Sequence, residues 1–172
     1  SKVYDYFIGI DPGMDGAIVV LKANGDFAEY CKMPVLVYEA SKRKIHIYAL
    51  FLHLKELTKT YGTKGMVCIE KINGSPGQGA TAIFAMGHGC GVVETCVCLA
   101  DLSYEFVGPQ KWKNRFLAGS KKEKDASVTK ALELFPKARE WCIGPRGGRD
   151  HNIADAMFIA EYSRNFFTRS AI

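Results

Sequence analysis

Three apolar runs separated by turn residues open the chain. Tyr4 to Ile10, Gly16 to Lys22 and Phe27 to Met33 read as strands, parted by Asp11-Pro12-Gly13 and by Asn24-Gly25, a strong hairpin signal. The period then changes. Apolar positions at Ile45, Tyr48, Leu52, Leu54 and Leu57, with charges between them, predict an amphipathic helix from Ile45 to Tyr61. Gly65 to Glu70 and Tyr104 to Val107 are short enough and apolar enough to be buried strands. Between them, Ala80 to Leu99 has the length of a helix but carries Gly87, Gly89 and Gly91, which mark either close approach of another helix or a kink. Beyond Pro109 a basic stretch leads into a helix from about Lys122 to Phe135, stopped by Pro136. A loop through Gly144-Pro145-Arg146-Gly147-Gly148 precedes a last helix from about Asn152 to Asn165. The order β-β-β-α-β-α-β-α-α predicts an α/β fold: a mixed sheet with helices on both faces, in one domain over residues 1–172.

Acids interrupt this pattern at three places that can converge. Asp11 closes the first strand, Glu70 closes the strand from Gly65, and Asp155 breaks the apolar stretch from Ile153 to Ala160. A charge inside an apolar segment is costly unless it is paired or binds metal. If the first and fourth strands lie side by side and parallel, Asp11 and Glu70 emerge together, and the last helix need only present Asp155. Asp150 lies about one turn before Asp155, in the preceding loop. His151, four residues before Asp155, would share its face on a continued helix, so either residue is a candidate fourth group. Carboxylates of this kind bind Mg2+, and a pair of such ions can activate water and stabilise a leaving oxygen at a phosphate ester. The chemistry indicated is that of a metal-dependent phosphodiester nuclease.

Composition narrows the setting. With 172 residues and 48% hydrophobic content, the chain can bury a full core. No run of 18 or more apolar residues occurs, which argues against a membrane span. The formal charge of +5 is concentrated in Lys42-Arg43-Lys44, Lys111-Lys113-Arg115, Lys121-Lys122-Lys124 and Arg146-Arg149, a distribution that suits a polyanion. The six cysteines lack paired C-x-x-C spacing and fall largely in buried patterns, so reduced thiols in an intracellular protein are expected. The sequence opens at Ser1 with neither a signal peptide nor an initiator Met, which leaves room for an upstream targeting segment.

Joint motif order adds a resemblance. Phe7-Ile8-Gly9-Ile10-Asp11-Pro12-Gly13, Val67-Cys68-Ile69-Glu70 and Asp150-His151-Asn152-Ile153-Ala154-Asp155-Ala156 resemble the active-site motifs of RuvC-like Holliday junction resolvases in the RNase H-like superfamily. Pro109-Gln110-Lys111-Trp112-Lys113, Lys124-Asp125-Ala126-Ser127 and Glu133-Leu134-Phe135-Pro136 are similar to stretches of the plant monokaryotic-chloroplast resolvases and related phage enzymes. The resemblance runs from Phe7 to Arg164. It implies an RNase H-like fold with a five-stranded sheet, and a homodimer that cuts four-way junction DNA by paired nicks. The implied site has four carboxylates (Asp11, Glu70, Asp150 and Asp155) and two Mg2+ ions, with Mn2+ as a substitute. Many bacterial members place the third ligand three residues before the last Asp, where this chain has Asn152, so Asp150 rests on the plant-like spacing of five.

The resemblance also places Lys113 and Lys124 near the scissile phosphate, Lys124 with a catalytic role. Lys111, Lys122, Arg146 and Arg149 are further candidates for DNA contact, and His151 is a candidate ligand or proton carrier. The loop from Lys71 to Gly79 offers Asn73 and Gln78 to bases at the junction centre, and the Gly-rich helix from Ala80 to Leu99 is the expected dimer surface. The implied location is a DNA-containing compartment, a plastid nucleoid or the cytoplasm of a phage-infected bacterium. An opening like Ile8-Gly9-Ile10-Asp11-Pro12-Gly13 also occurs in actin-like sugar kinases, whose two domains do not fit this length. A nuclease acting on RNA-DNA hybrids or branched DNA, and a non-catalytic DNA-binding module, are the remaining alternatives. Four convergent acids speak against the binder, because they repel phosphate when no metal is present.

Overall fold

The computed structural model describes residues 3–121 and 123–168. Five strands form the central sheet: β1 (Tyr6–Ile10), β2 (Ala17–Lys22), β3 (Phe27–Lys32), β6 (Gly65–Glu70) and β7 (Ser103–Val107), in the order β3-β2-β1-β6-β7. The first three form the antiparallel meander expected from their turns. β6 lies parallel to β1, with Ile10 opposite Ile69, and β7 lies parallel to β6. The central strands β1 and β6 are covered on both faces, which explains their unbroken apolar runs.

Helices occupy both faces. On one, α1 (Ile47–Tyr61) and α2 (Ala80–Leu99) set Leu50, Leu54, Leu57, Val93 and Val97 against Ile8, Ile10 and Val67. On the other, α6 (His151–Thr168) crosses β1, β2 and β6, flanked by α3 (Pro109–Phe116), α4 (Ala126–Leu134) and α5 (Ala138–Cys142). Gly9 sets the height of α6. A Cβ on Gly9 would stand 2.2 Å from the Ala160 nitrogen and 2.3 Å from the Ala156 oxygen. Only a bare Cα on the strand lets the helix backbone lie directly upon it, and this draws the N-terminal turn of α6 down to the end of β1.

Several boundaries differ from the sequence reading. Residues Lys42–Ile45, expected as a loop and a helix start, are strand β5, paired with β4 (Val35–Tyr38) in an exposed two-stranded ribbon. Its turn passes through Glu39 and Ala40 at φ 42° and 65°, left-handed positions that ordinarily advertise themselves as Gly or Asn. The basic stretch after Pro109 and the segment after Pro136 contain the short helices α3 and α5. α2 runs unbroken through its three glycines. By length and apolar composition alone α2 meets the minimum for a membrane crossing, which uninterrupted apolar runs do not reveal. Its C-terminal half is nevertheless built into the core through Val93, Cys96 and Val97. All six cysteines are free thiols.

Candidate active site

Asp11 and Glu70 leave the C-terminal ends of neighbouring parallel strands, and Asp155 faces them from the second turn of α6. The turn after β1 holds Asp11 in place. Its backbone nitrogen donates to the Ala17 carbonyl at 3.0 Å, and its Oδ1 accepts from the Gly13 nitrogen at 3.1 Å. Glu70 Oε2 accepts from the indole nitrogen of Trp112 at 2.6 Å, and Trp112 is fully buried within α3. Ser127, buried at the start of α4, places its hydroxyl against Asp155 and 3.5 Å from the His151 carbonyl.

The three acids lie within electrostatic reach of one another. The Glu70 carboxyl is pushed up to about 7, chiefly by burial, with the charges of Asp11 and Asp155 adding to the rise while the donating Trp112 and the nearby Lys113 oppose it. Asp155 is pushed up to about 6, again chiefly by burial, with Asp11 and Asp150 adding to the rise while Ser127 and Lys113 oppose it. The Asp11 carboxyl is raised by burial, and the Gly13 N–H, Lys32 and His151 only partly offset that. Three desolvated anions that repel one another, held by single neutral donors, are a donor set suited to a hard divalent cation. Among the described residues, no three His, Cys, Asp or Glu side chains stand close enough to share one ion as their rotamers lie.

Asp150 is differently placed. A small loop closed by the Ile143–Arg149 bridge brings it to the head of α6, where its Oδ1 caps the helix by accepting from the nitrogens of Asn152 (3.0 Å) and Ile153 (3.1 Å). Its Oδ2 accepts from Lys32 Nζ at 2.8 Å. His151 is the first residue of α6 and lies close enough to Asp11 to hold that carboxyl down.

Of the expected DNA contacts, Lys113 reaches the site, since it lowers both Glu70 and Asp155 while its Nζ sits 5.3 Å from the Trp112 ring centroid. Lys124 and Arg149 line an adjoining polar cleft with Lys32, Asp125 and His151. Arg149 is engaged there, paired with Asp125 and donating to Thr129 Oγ1 at 2.6 Å. Lys111, Arg146 and Asn73 are exposed, and Lys122 lies outside the described residues. Gln78 is turned inward. Its Oε1 accepts from the Ser75 nitrogen at 3.2 Å and its Nε2 faces Met86 Sδ, so its amide serves the loop fold. Trp112, Ser127 and Lys32 escaped the sequence reading of the site. For the first two the only signal lay inside the motifs Pro109–Lys113 and Lys124–Ser127; for Lys32 there was none.

No protein-family model and no curated protein matches the chain. Solved structures do. The RuvC protein of Thermus thermophilus in complex with a Holliday junction substrate superposes with a TM-score of 0.60 at 16% identity, over 98% of this chain and 97% of that one. A second Thermus thermophilus RuvC structure gives 0.55 at 16% identity, over 95% of each chain. The yeast mitochondrial Holliday junction resolvase Ydc2 gives 0.52 at 12% identity, over 98% of this chain and 86% of that one. The chain therefore has the RuvC-type, RNase H-like α/β fold, with the half-buried Asp11 and Glu70 at the C-terminal edge of the sheet.

Proposed function

We propose that the protein is a structure-selective DNA endonuclease that resolves four-way junctions by paired, symmetric nicks, of the branch that includes the plant monokaryotic-chloroplast and related phage resolvases. The observation that carries this reading is the convergence of Asp11, Glu70 and Asp155 on adjacent strand ends and an abutting helix, where Asp11 and Asp155 raise the proton affinity of Glu70 and Asp11 raises that of Asp155. The fold shared with RuvC supports it. Asp11, Glu70 and Asp155, joined by Asp150 or His151, would hold Mg2+, which supplies an activated water and charge neutralisation at the phosphate. The chain's own residues do the rest. Trp112 and Ser127 orient two of the carboxylates, and Lys113 presents a point charge to a phosphate oxygen. The cleft with Lys124 leads the strand away from the site, and the protein works as a homodimer in a DNA-containing compartment. Labelled four-way junction, linear duplex and RNA-DNA hybrid, each incubated with the protein and Mg2+, test the reading. Paired nicks confined to the junction are expected; preferential cutting of the hybrid would move the assignment to a ribonuclease, and cutting of none would leave a binding module.

Two results follow from the lysines and the tryptophan. Neutralising Lys113 or Lys124 should lower cleavage and make the dependence of log affinity on log salt shallower by about one unit, as for a lost phosphate contact. An unchanged slope assigns that lysine to the solvated surface. Trp112→Phe keeps most of the buried ring but removes the donor to Glu70, so the Glu70 carboxyl should rise above about 7. The midpoint of the pH–rate curve should move upward, with activity at pH 7 falling more than at pH 9; an unmoved midpoint would show that the indole only packs.

A further inference from the structure

Lys32 ends the edge strand β3, and its ammonium makes two contacts. It donates to the Asp15 carbonyl at 2.7 Å, on the loop that carries Asp11, and to Asp150 Oδ2 at 2.8 Å. The other Asp150 oxygen is committed to the cap of α6. The oxygen of Asp150 that points away from its own helix, Oδ2, therefore has as its partner one cation supplied by the protein. The pair is open to water, with Lys32 42% and Asp150 33% exposed, and an exposed ion pair of this kind is weak. A divalent ion beside Asp11 competes for the same oxygen with twice the charge.

We propose that Lys32 is a positioning residue, the built-in counter-ion of Asp150, which must release that carboxylate before it can join the other acids in holding a divalent cation. This deepens the nuclease reading and rests on Asp150 as a ligand. Lys32 then sets how much divalent ion is needed to fill the position nearest α6, and keeps the loop from Asp11 to Gly16 tied to the helix until it fills. The single positive charge also partly balances Asp150 beside Asp11 and Asp155, both of which its carboxylate still raises.

Mn2+ titration of the DNA-free protein, followed by electron paramagnetic resonance, tests this. Lys32→Gln keeps a donor for the Asp15 carbonyl while removing the charge, and should bind Mn2+ about two- to fivefold more tightly. Lys32→Arg should keep the parent affinity. In an Asp150→Asn background, Lys32→Gln should bring no gain. No tightening in the parent background, or a tightening that persists without the Asp150 carboxylate, overturns the proposal, the second because it would be a general charge effect. Asp11→Asn and Asp150→Asn alone separate the two levels. If Asp11→Asn weakens Mn2+ binding and Asp150→Asn does not, the metal site stands but Asp150 and its counter-ion fall out of it. If neither matters, the metal reading itself fails. A melting temperature close to the parent's confirms that Lys32→Gln is folded.

Discussion

Asp11→Asn, Glu70→Gln and Asp155→Asn are each expected to lower junction cleavage by about a thousandfold or more, while junction binding stays intact or tightens. The two effects have one cause. On the proposed reading the carboxylates would hold the catalytic cation, and without it they would be anions facing the phosphate of the substrate. Removing one takes away the chemistry and part of the repulsion together. Single-turnover cleavage and gel-shift titrations on the same junction read both halves, and parent-like turnover by any of the three removes that residue from the site.

The same substitutions carry a stability signature of defined sign. Glu70 and Asp155 are raised to about 7 and about 6, above the value each has in the unfolded chain. The folded state therefore holds their protons more tightly. Their contribution to stability is fully present below about pH 4 and is lost as pH rises towards 7, where the buried groups must ionise. Glu70→Gln and Asp155→Asn escape that loss. In metal-free buffer at pH 8 each should be more stable than the parent by about 1 to 2 kcal/mol, or a few degrees in melting temperature, with the difference shrinking at pH 5. Added Mg2+ should stabilise the parent and leave the variants nearly unchanged. Equal melting temperatures at pH 8, with and without chelator, would show that the acids do not strain one another. The pH–rate curve should rise through about 6 to 7 for the matching reason.

What could be read from the residues, and what could not, divides along physical lines. The central strands were legible because burial on both faces demands continuous apolar runs, and an acid ending such a run stands out. Convergence of Asp11 with Glu70 followed from placing the first and fourth strands side by side. The ribbon β4–β5 was not legible: its second strand is Lys42-Arg43-Lys44 with one buried residue, and its turn is built on Glu39 and Ala40. Exposed ribbons have no buried face to impose a period. The partners of the acids were hidden for another reason. Trp112 reaches Glu70 from 42 positions away and Lys32 reaches Asp150 from 118 positions away, separations over which no local pattern carries information. Asp150 caps α6, one of the two roles open to it, and lies within electrostatic reach of Asp11 and Asp155.

Phe84→Asp, or a large residue at Gly87, should convert paired cutting into single nicking. On the proposed reading, one site per chain and two symmetric cuts per junction require two chains related by an isologous contact. The sequence nominated Ile83, Phe84, Val92 and Val93 of α2 as the apolar area for that contact. The structure keeps Val93 for the core but leaves Phe84 76% and Ile83 40% exposed, with open space around Gly87 and Gly91. Beside them, Ile47, Tyr48, Phe51, Val92 and Leu99 line an apolar groove of about 620 Å3 between α1 and α2. Exposed apolar surface of this kind suits the proposed contact, and a Phe seated in such a groove is the kind of anchor on which an interface depends. A buried unpaired aspartate in its place should weaken the dimer by about a hundredfold or more. Light scattering at micromolar concentration reads the mass, and a supercoiled plasmid with an extruded cruciform reads the product. The parent should linearise the plasmid by two coordinated nicks, whereas Phe84→Asp should leave open circles. A Phe84→Asp protein that stays dimeric would place the contact on another surface, and a monomer on DNA that still linearises the plasmid in one encounter would refute the dimer altogether.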